Sequence, residues 1–480
     1  MQPGLYTSSF RGALLLMIKR YGDWIRFFSF VLIFSILLSR VSLLFEKKDS
    51  IAKREKFYQI EQDIDVLFLG SSVMVTGVFP MELWNEYGIA SYNYAGHAEQ
   101  MAGNYWNLVN ALNYTNPKLV VIDIFNMPAD FKVYEEELSY YHMSIDAMPM
   151  SLTKVRAVND LTPKGQSRLE YLFDFALYHS RWNELSMSDV HVKYNKAYGS
   201  ERRVSSIYAD STAVLPDNEY TEYESIGVEY LRKMIVLCQE KGIDCLLVQI
   251  PYAATEDNQR KRNYAYKIAE DYRIRFLNMM QDESGNPIID NATDLCDGTY
   301  HLNPSGAVKT THYLGKYLKE TYDLPDRRED NDYDSWQYDY LEYRNNVKFE
   351  ELKNSYADIY TFLLLLYDRD IQYEMRIKGT EEAMFDGDLT NLFQNLGVDV
   401  NTLTSFKSDG SEAVYNIYSN MLEVSYLDSD FEDMDRDNDY VLEIICYDAS
   451  NGRKICHVGY WYTDGRFIGE EILESLTESN

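Results

Sequence analysis

At 480 residues the chain is too long for one ordinary core, so two or three domains of ~100–200 residues are expected. A formal net charge of −30 argues against nucleic acid as a partner, and against close contact with an anionic bilayer away from an anchor. An apolar fraction of 46% sets wholesale disorder aside, and the 42 tyrosines are expected to fill cores.

The first element is apolar. Residues 24–45 read WIRFFSFVLIFSILLSRVSLLF, roughly the length of a bilayer-spanning helix. Arg26 and Arg40 lie near its ends, where their heads reach water. Arg11, Lys19 and Arg20 precede it, while the charges after it nearly cancel, which places residues 1–23 in the cytoplasm and the bulk of the chain outside. A cleaved signal peptide is the competing reading, but no small-x-small site follows the run. Residues 46–62 are charged and read as a helical stalk.

Residues 63–325 then alternate between short apolar runs and amphipathic stretches. Strands are predicted at 65–70 (DVLFLG), 89–94 (IASYNY), 118–124 (KLVVIDI), 243–250 (IDCLLVQI) and 274–277. Helices are predicted at 83–87, 101–112, 224–241, 257–271 and 304–321. Residues 130–220 show no clean pattern. Strands alternating with helices imply a parallel sheet covered on both faces. Residues 326–354 are acidic and aromatic and read as a linker or an exposed helix start. Residues 355–480 read as α+β, with a helix at 356–367, a strand at 371–377, and two strands around the Asn451-Gly452 hairpin signal.

The five cysteines (Cys238, Cys245, Cys296, Cys446, Cys456) are odd in number and form no CxxC pair, so neither a zinc site nor a dense disulfide framework is indicated. Cys446 and Cys456 flank the hairpin signal; unpaired strand residues are expected over a disulfide. His142, His179 and His191 have no ligand spacing, and no metal or diffusible cofactor is expected. Asp433, Asp435 and Asp437 resemble the start of a calcium loop, but Asn438 stands where glycine is needed and Ile444 where glutamate is needed, so an acidic turn is expected.

Groups that act on ligands in open parallel sheets sit outside the carboxyl ends of strands. Ser72, in Gly70-Ser71-Ser72, follows the first strand, where a sharp turn exposes its hydroxyl. Gly96 follows the second strand and lets a backbone N–H approach a ligand closely. His301 lies in DGTYHLNPSG, just before a helix that Asn303 and Pro304 are suited to start. An aspartate upstream could orient its ring.

This order of blocks resembles the SGNH (GDSL-like) hydrolases over residues ~60–325. DVLFLGSSVMV resembles the family's GDS block, SYNYAG its glycine block and DGTYHLNPSG its Asp/His block. The resemblance implies a flavodoxin-like three-layer fold and a Ser72–His301–Asp297 catalytic set. Gly96 and Asn126 would serve as oxyanion donors beside the Ser72 N–H. Two features depart from the pattern. Asp297 is one residue farther from His301 than DxxH requires, which leaves Asp294 as a fallback, and IDIFNMP stands where GxND belongs. The nearest branch serves acylation of envelope polysaccharide or teichoic acid. It implies an acylated glycan as substrate and a multi-span membrane acyltransferase as partner. The alternative is a non-catalytic relative that binds glycan or scaffolds a synthesis complex. Residues 355–480 resemble the interleukin-like EMT inducer domain through DIYTFLLLLYDRDIQYEMRIKG, NLFQNLGVD and VLEIICYDASNGRKICHVGYWYTDG, which implies a small β-sandwich.

Overall fold

The computed structural model describes residues 7–45, 54, 56–136, 138–173, 175, 178–190, 196–210, 213–378, 384–398, 400, 412–417, 424–426 and 440–472. Most of the expected stalk, and the acidic stretch holding Asp433, Asp435 and Asp437, lie outside these residues. The chain divides into two compact units. One is Met1–Ala52 with Ile145–Lys193; the other is Lys53–Ser144 with Tyr194–Asn480.

The first unit contains helix α1 (Thr7–Phe45), whose stretch Tyr21–Ser42 is long and apolar enough, by length and composition, to cross a bilayer. Trp24, Phe27, Phe28, Phe30 and Leu32 on it are exposed. The other described residues of this unit include short helices, among them Leu152–Leu161, which starts on a Ser151 hydroxyl that accepts from the Lys154 N–H.

The second unit is built on a five-stranded parallel sheet of β1 (Val66–Leu69), β2 (Ser91–Asn93), β3 (Leu119–Asp123), β4 (Asp244–Gln249) and β5 (Arg275–Asn278). The interleaved helices are α2 (Ser72–Gly77), α3 (Pro80–Tyr87), α4 (Met101–Ala111), α5 (Ile226–Lys241), α6 (Glu256–Tyr272) and α7 (Pro304–Thr321). Strand order is β2-β1-β3-β4-β5, the doubly wound order of flavodoxin-like sheets. Every residue of β1 and β3 is buried, as continuous apolar strands covered on both faces must be. The chain leaves β1 in one direction to reach β2 and in the other to reach β3. The crevice this opens, at the carboxyl ends of β1 and β3, is where a doubly wound sheet binds ligands.

Helix ends are set locally. Ser225 caps α5 by accepting from the Val228 N–H, and Gly242 ends it at φ +69°. Asn303 caps α7 by accepting from the Gly306 N–H, with Pro304 in the first turn.

Beyond Pro325, part of the stretch read as a linker or an exposed helix start is helical. Asp334–Tyr343 is a helix, α8, that buries Trp336, Tyr340 and Tyr343. Trp336 packs on Trp84 of α3 with ring centroids 5.5 Å apart. The acidic residues that suggested a linker share this segment with an aromatic face. After helix α9 (Ile359–Leu366), strand β6 (Ile371–Lys378) and helix α10 (Gly387–Asn395) come β7 (Glu412–Ile417), β8 (Val424–Tyr426), β9 (Leu442–Asp448), β10 (Lys454–Thr463) and β11 (Arg466–Glu471). They form one antiparallel sheet in the order β11-β10-β9-β6-β7-β8. Phe362, Leu392 and Phe393 of the helices share its core with Met375, Ile444, Val458 and Tyr460. Among the described residues this is α+β, not two facing sheets. The sandwich expected from the resemblance is replaced by helices covering one sheet face. Cys446 and Cys456 are cross-strand partners, buried and unbonded.

A buried ionic cluster joins the two sheets. The Lys348 ammonium has no exposed surface and pairs with Glu82 at 2.8 Å, Asp368 at 2.7 Å and Asp370 at 2.6 Å. Burial alone would lower its pKa, but the three carboxylates hold it well above the ordinary range.

Candidate active site

Ser72 opens α2 directly after β1 and the Gly70-Ser71 turn. The turn needs glycine at position 70, because a Cβ there would lie 2.7 Å from the Asp123 Cβ and 2.9 Å from the Met74 Cβ. Asn104 holds the turn by accepting from the Gly70 N–H at 3.0 Å. The Asn93 amide caps the other end of α2, donating to the carbonyls of Met74 at 2.8 Å and Val78 at 3.0 Å. The turn carrying Ser72 and the end of α2 are thus held by Asn104 and Asn93.

His301 reaches it from the loop before α7. Its Nε2 lies 2.8 Å from the Ser72 hydroxyl and its Nδ1 2.5 Å from Asp297 Oδ2. The Asp297 carboxyl also accepts the N–H groups of Thr299 (2.9 Å), Tyr300 (3.0 Å) and His301 (3.2 Å). Burial alone would raise its pKa, but the hydrogen bonds from the His301 ring and from these backbone groups bring it down to about 2. An ionised Asp297 can only accept. Nδ1 therefore carries the proton, and Nε2 is left to accept from Ser72.

The extra residue between Asp297 and His301 is absorbed by the loop. Gly298 takes φ +68°, the left-handed region that glycine tolerates, and the loop closes through the Cys296 N–H to the His301 carbonyl at 2.9 Å. Asp294, the fallback, is fully buried and faces elsewhere. It accepts from Ser305 at 2.9 Å and Lys309 at 2.7 Å, tying the loop to α7.

The two expected oxyanion donors are engaged within the protein. The Gly96 N–H donates to the Gly70 carbonyl at 3.3 Å, and a Cβ at 96 would strike Glu99 and Arg54. The Asn126 amide donates to the Glu99 carbonyl at 2.8 Å. Such an amide has two hydrogens, so one remains for another acceptor. The Ser72 N–H lies in the first turn of a helix, where N–H groups have no intrahelical partner.

Sequence reasoning missed three parts of this arrangement. Asp123 ends β3 behind the turn, accepting from the Phe125 N–H at 3.2 Å and the Ser71 hydroxyl at 3.5 Å, and burial pushes its pKa up to about 7. A strap at 200–205 bonds to α2 through the Glu201 N–H to the Val75 carbonyl, and to the His301 loop through the Ser205 hydroxyl to the Cys296 carbonyl at 2.8 Å. Aromatic rings stand beside His301, with Tyr300 5.2 Å from Phe125 and 6.1 Å from Tyr252. Only Asp123 had a local signal, as an acid closing an otherwise apolar strand.

A surface cavity of about 680 Å³ runs along α5 past Tyr105, Glu229 and Arg232 and includes none of these residues. Another, of about 490 Å³, is lined by Tyr252, Met280, Ile288 and Tyr367.

Fold and geometry together define a class: a doubly wound α/β protein carrying a Ser–His–Asp hydrogen-bonded chain at the carboxyl edge of its parallel sheet. No family model and no curated protein matches the chain. Two solved structures are similar to it in part. One is described as a lipolytic protein of the G-D-S-L family from Desulfitobacterium hafniense DCB-2, at 10% identity and TM-score 0.28, covering 53% of this chain and 100% of its own. The other is described as a platelet activating factor from Streptococcus pneumoniae, at 14% identity and TM-score 0.26, covering 59% and 98%. Scores this low leave the sheet and the site themselves as the basis for any reading.

Proposed function

We propose that the protein is a membrane-anchored SGNH-type serine enzyme that moves an acyl group on or off a cell-envelope polysaccharide. The observation that carries this reading is the chain Asp297–His301–Ser72, with contacts of 2.5 Å and 2.8 Å at the switch point of the sheet. His301 Nε2 takes the Ser72 proton as the hydroxyl oxygen attacks an ester carbonyl. The tetrahedral oxyanion is held by the Ser72 N–H, with the second hydrogen of the Asn126 amide as a further donor, while the Gly96 N–H stays on the Gly70 carbonyl; one such donor is typically worth ~3–4 kcal/mol. His301 returns the proton to the departing alkoxide, leaving an acyl-serine. Water or a sugar hydroxyl, deprotonated by His301, then takes the acyl group and Ser72 recovers its proton. With water the result is ester hydrolysis; with a sugar it is O-acylation, supplied by a multi-span membrane acyltransferase. Helix α1 is the anchor, with its N-terminal end in the cytoplasm.

A fluorophosphonate probe tests the chemistry. It should label the wild type and fail on Ser72→Ala and His301→Ala. An unlabelled, folded wild type would refute catalysis. A second reading, a non-catalytic glycan-binding or scaffold protein, is favoured by the engagement of the Gly96 N–H and the Asn126 amide within the protein.

A further inference from the structure

We infer that residues 145–190 form a collar that lies on the bilayer surface around the outer end of α1. This rests on reading α1 as a membrane span.

The first observation is exposure. Met150, Leu152, Leu169, Phe173, Trp182, Met187 and Val190 are each more than half exposed, with Leu152 at 77% and Trp182 at 72%. In the second unit, among the described residues, Ile207 is the one large apolar side chain other than tyrosine exposed by more than half. The described residues of the second unit otherwise cover such side chains, so their concentration in one short segment outside α1 marks an interaction surface.

The second observation identifies the occupant. The segment belongs to the same compact unit as α1 and is attached to the end of its apolar stretch. Arg181 donates to the Phe45 carbonyl at 2.7 Å, filling one of the acceptors a helix leaves open at its C-terminus. Phe45 and Phe175 pack edge to face at 5.7 Å. Arg181 is fixed in turn by Asp189 at 3.0 Å. The span ends where hydrocarbon gives way to headgroups, so side chains fastened at that end lie at headgroup depth. Tryptophan there keeps its ring in the boundary and its N–H in water.

The third observation is charge. In a chain of net −30, residues 145–190 carry six acidic and five basic side chains. The strongly acidic remainder is repelled by anionic lipid, and this nearly neutral segment is not. Lys164 and Arg168 are exposed beside Leu169, where they can meet lipid phosphates.

The test uses the full chain in phosphatidylcholine nanodiscs containing a photoactivatable lipid, with adducts mapped by mass spectrometry. Adducts are expected on α1 and on peptides carrying Leu152, Leu169 and Trp182, but not on α6, whose outer face is exposed at Glu256, Lys261 and Glu270. Brominated phosphatidylcholine should quench tryptophan emission, and Trp182→Phe should remove part of that quenching while leaving the Trp24 part. Adducts on α1 alone, with quenching unchanged in Trp182→Phe, would overturn the collar and leave the anchor standing. Adducts on neither would overturn the anchor and the collar with it. In native membranes, adducts to a polypeptide in place of lipid would overturn the collar in favour of a protein partner.

Discussion

Replacing Asp123 by asparagine tests whether the carboxyl behind the Gly70-Ser71 turn is buried at a free-energy cost. Asp123 is 1% exposed, and burial raises its pKa from 3.8 to about 7 against the pull of the Phe125 N–H and the Arg262 charge. A carboxyl raised in the folded state favours folding while protonated. Its contribution is complete below the unfolded pKa and is lost as pH rises through about 7. At 1.36 kcal/mol per unit, that loss is about 4 kcal/mol between pH 4 and 8, an upper bound because buried groups relax. Urea unfolding followed by tryptophan emission, to which the buried Trp84 and Trp336 contribute, measures it. Wild-type stability should fall over this range, and Asp123→Asn should remove up to that amount of the fall. Glu82, also raised by burial, gives a second fall in the same direction, which the variant keeps. Equal pH slopes in the two proteins would refute the reasoning.

Asp297→Asn should leave the unfolding midpoint nearly unchanged and slow fluorophosphonate labelling by ~10⁴, because an amide no longer fixes the His301 tautomer. Since Asp297 is held down to about 2, labelling of the wild type should show no acid limb from this group between pH 4 and 9; an undiminished rate in the variant would count against its role. Lys348→Met removes the cation facing three buried carboxylates and should cost about 3–5 kcal/mol, partly restored by adding Glu82→Gln. Additive effects of the two changes would show that Glu82 and Lys348 are not coupled.

The parallel sheet was legible because its strands are short apolar runs closed by Gly, Pro or Asp, and each predicted strand overlaps an observed one. The order of Ser72, Gly96 and His301 along it was legible for the same reason. What the sequence hid was conformation within loops. The Asp297-to-His301 spacing looked irregular until Gly298 was seen to turn the loop left-handed, bringing Asp297 and not Asp294 to the ring. Gly96 was read as room for a ligand, whereas Glu99 and Arg54 occupy that space. The segment around Trp336 was left between linker and exposed helix start by its charge, although Trp336, Tyr340 and Tyr343 already had the four- and three-residue spacing of a buried helix face. Lys348 gave no signal at all, since its partners are remote in sequence.

The Lys348 cluster also bears on how the chain must mature. Glu82 lies on α3, while its counter-ion and the neighbouring Asp368 and Asp370 are translated some 270 to 290 residues later. Trp84 likewise waits for Trp336. Until the ribosome has passed residue 370, the parallel sheet has a bare aromatic face and a buried acid without its cation. The C-terminal sheet is therefore not a module that could be cut away to leave a working core. A chain ended after Pro325 should aggregate, and folding of the parallel sheet should complete only after the last third of the protein has emerged.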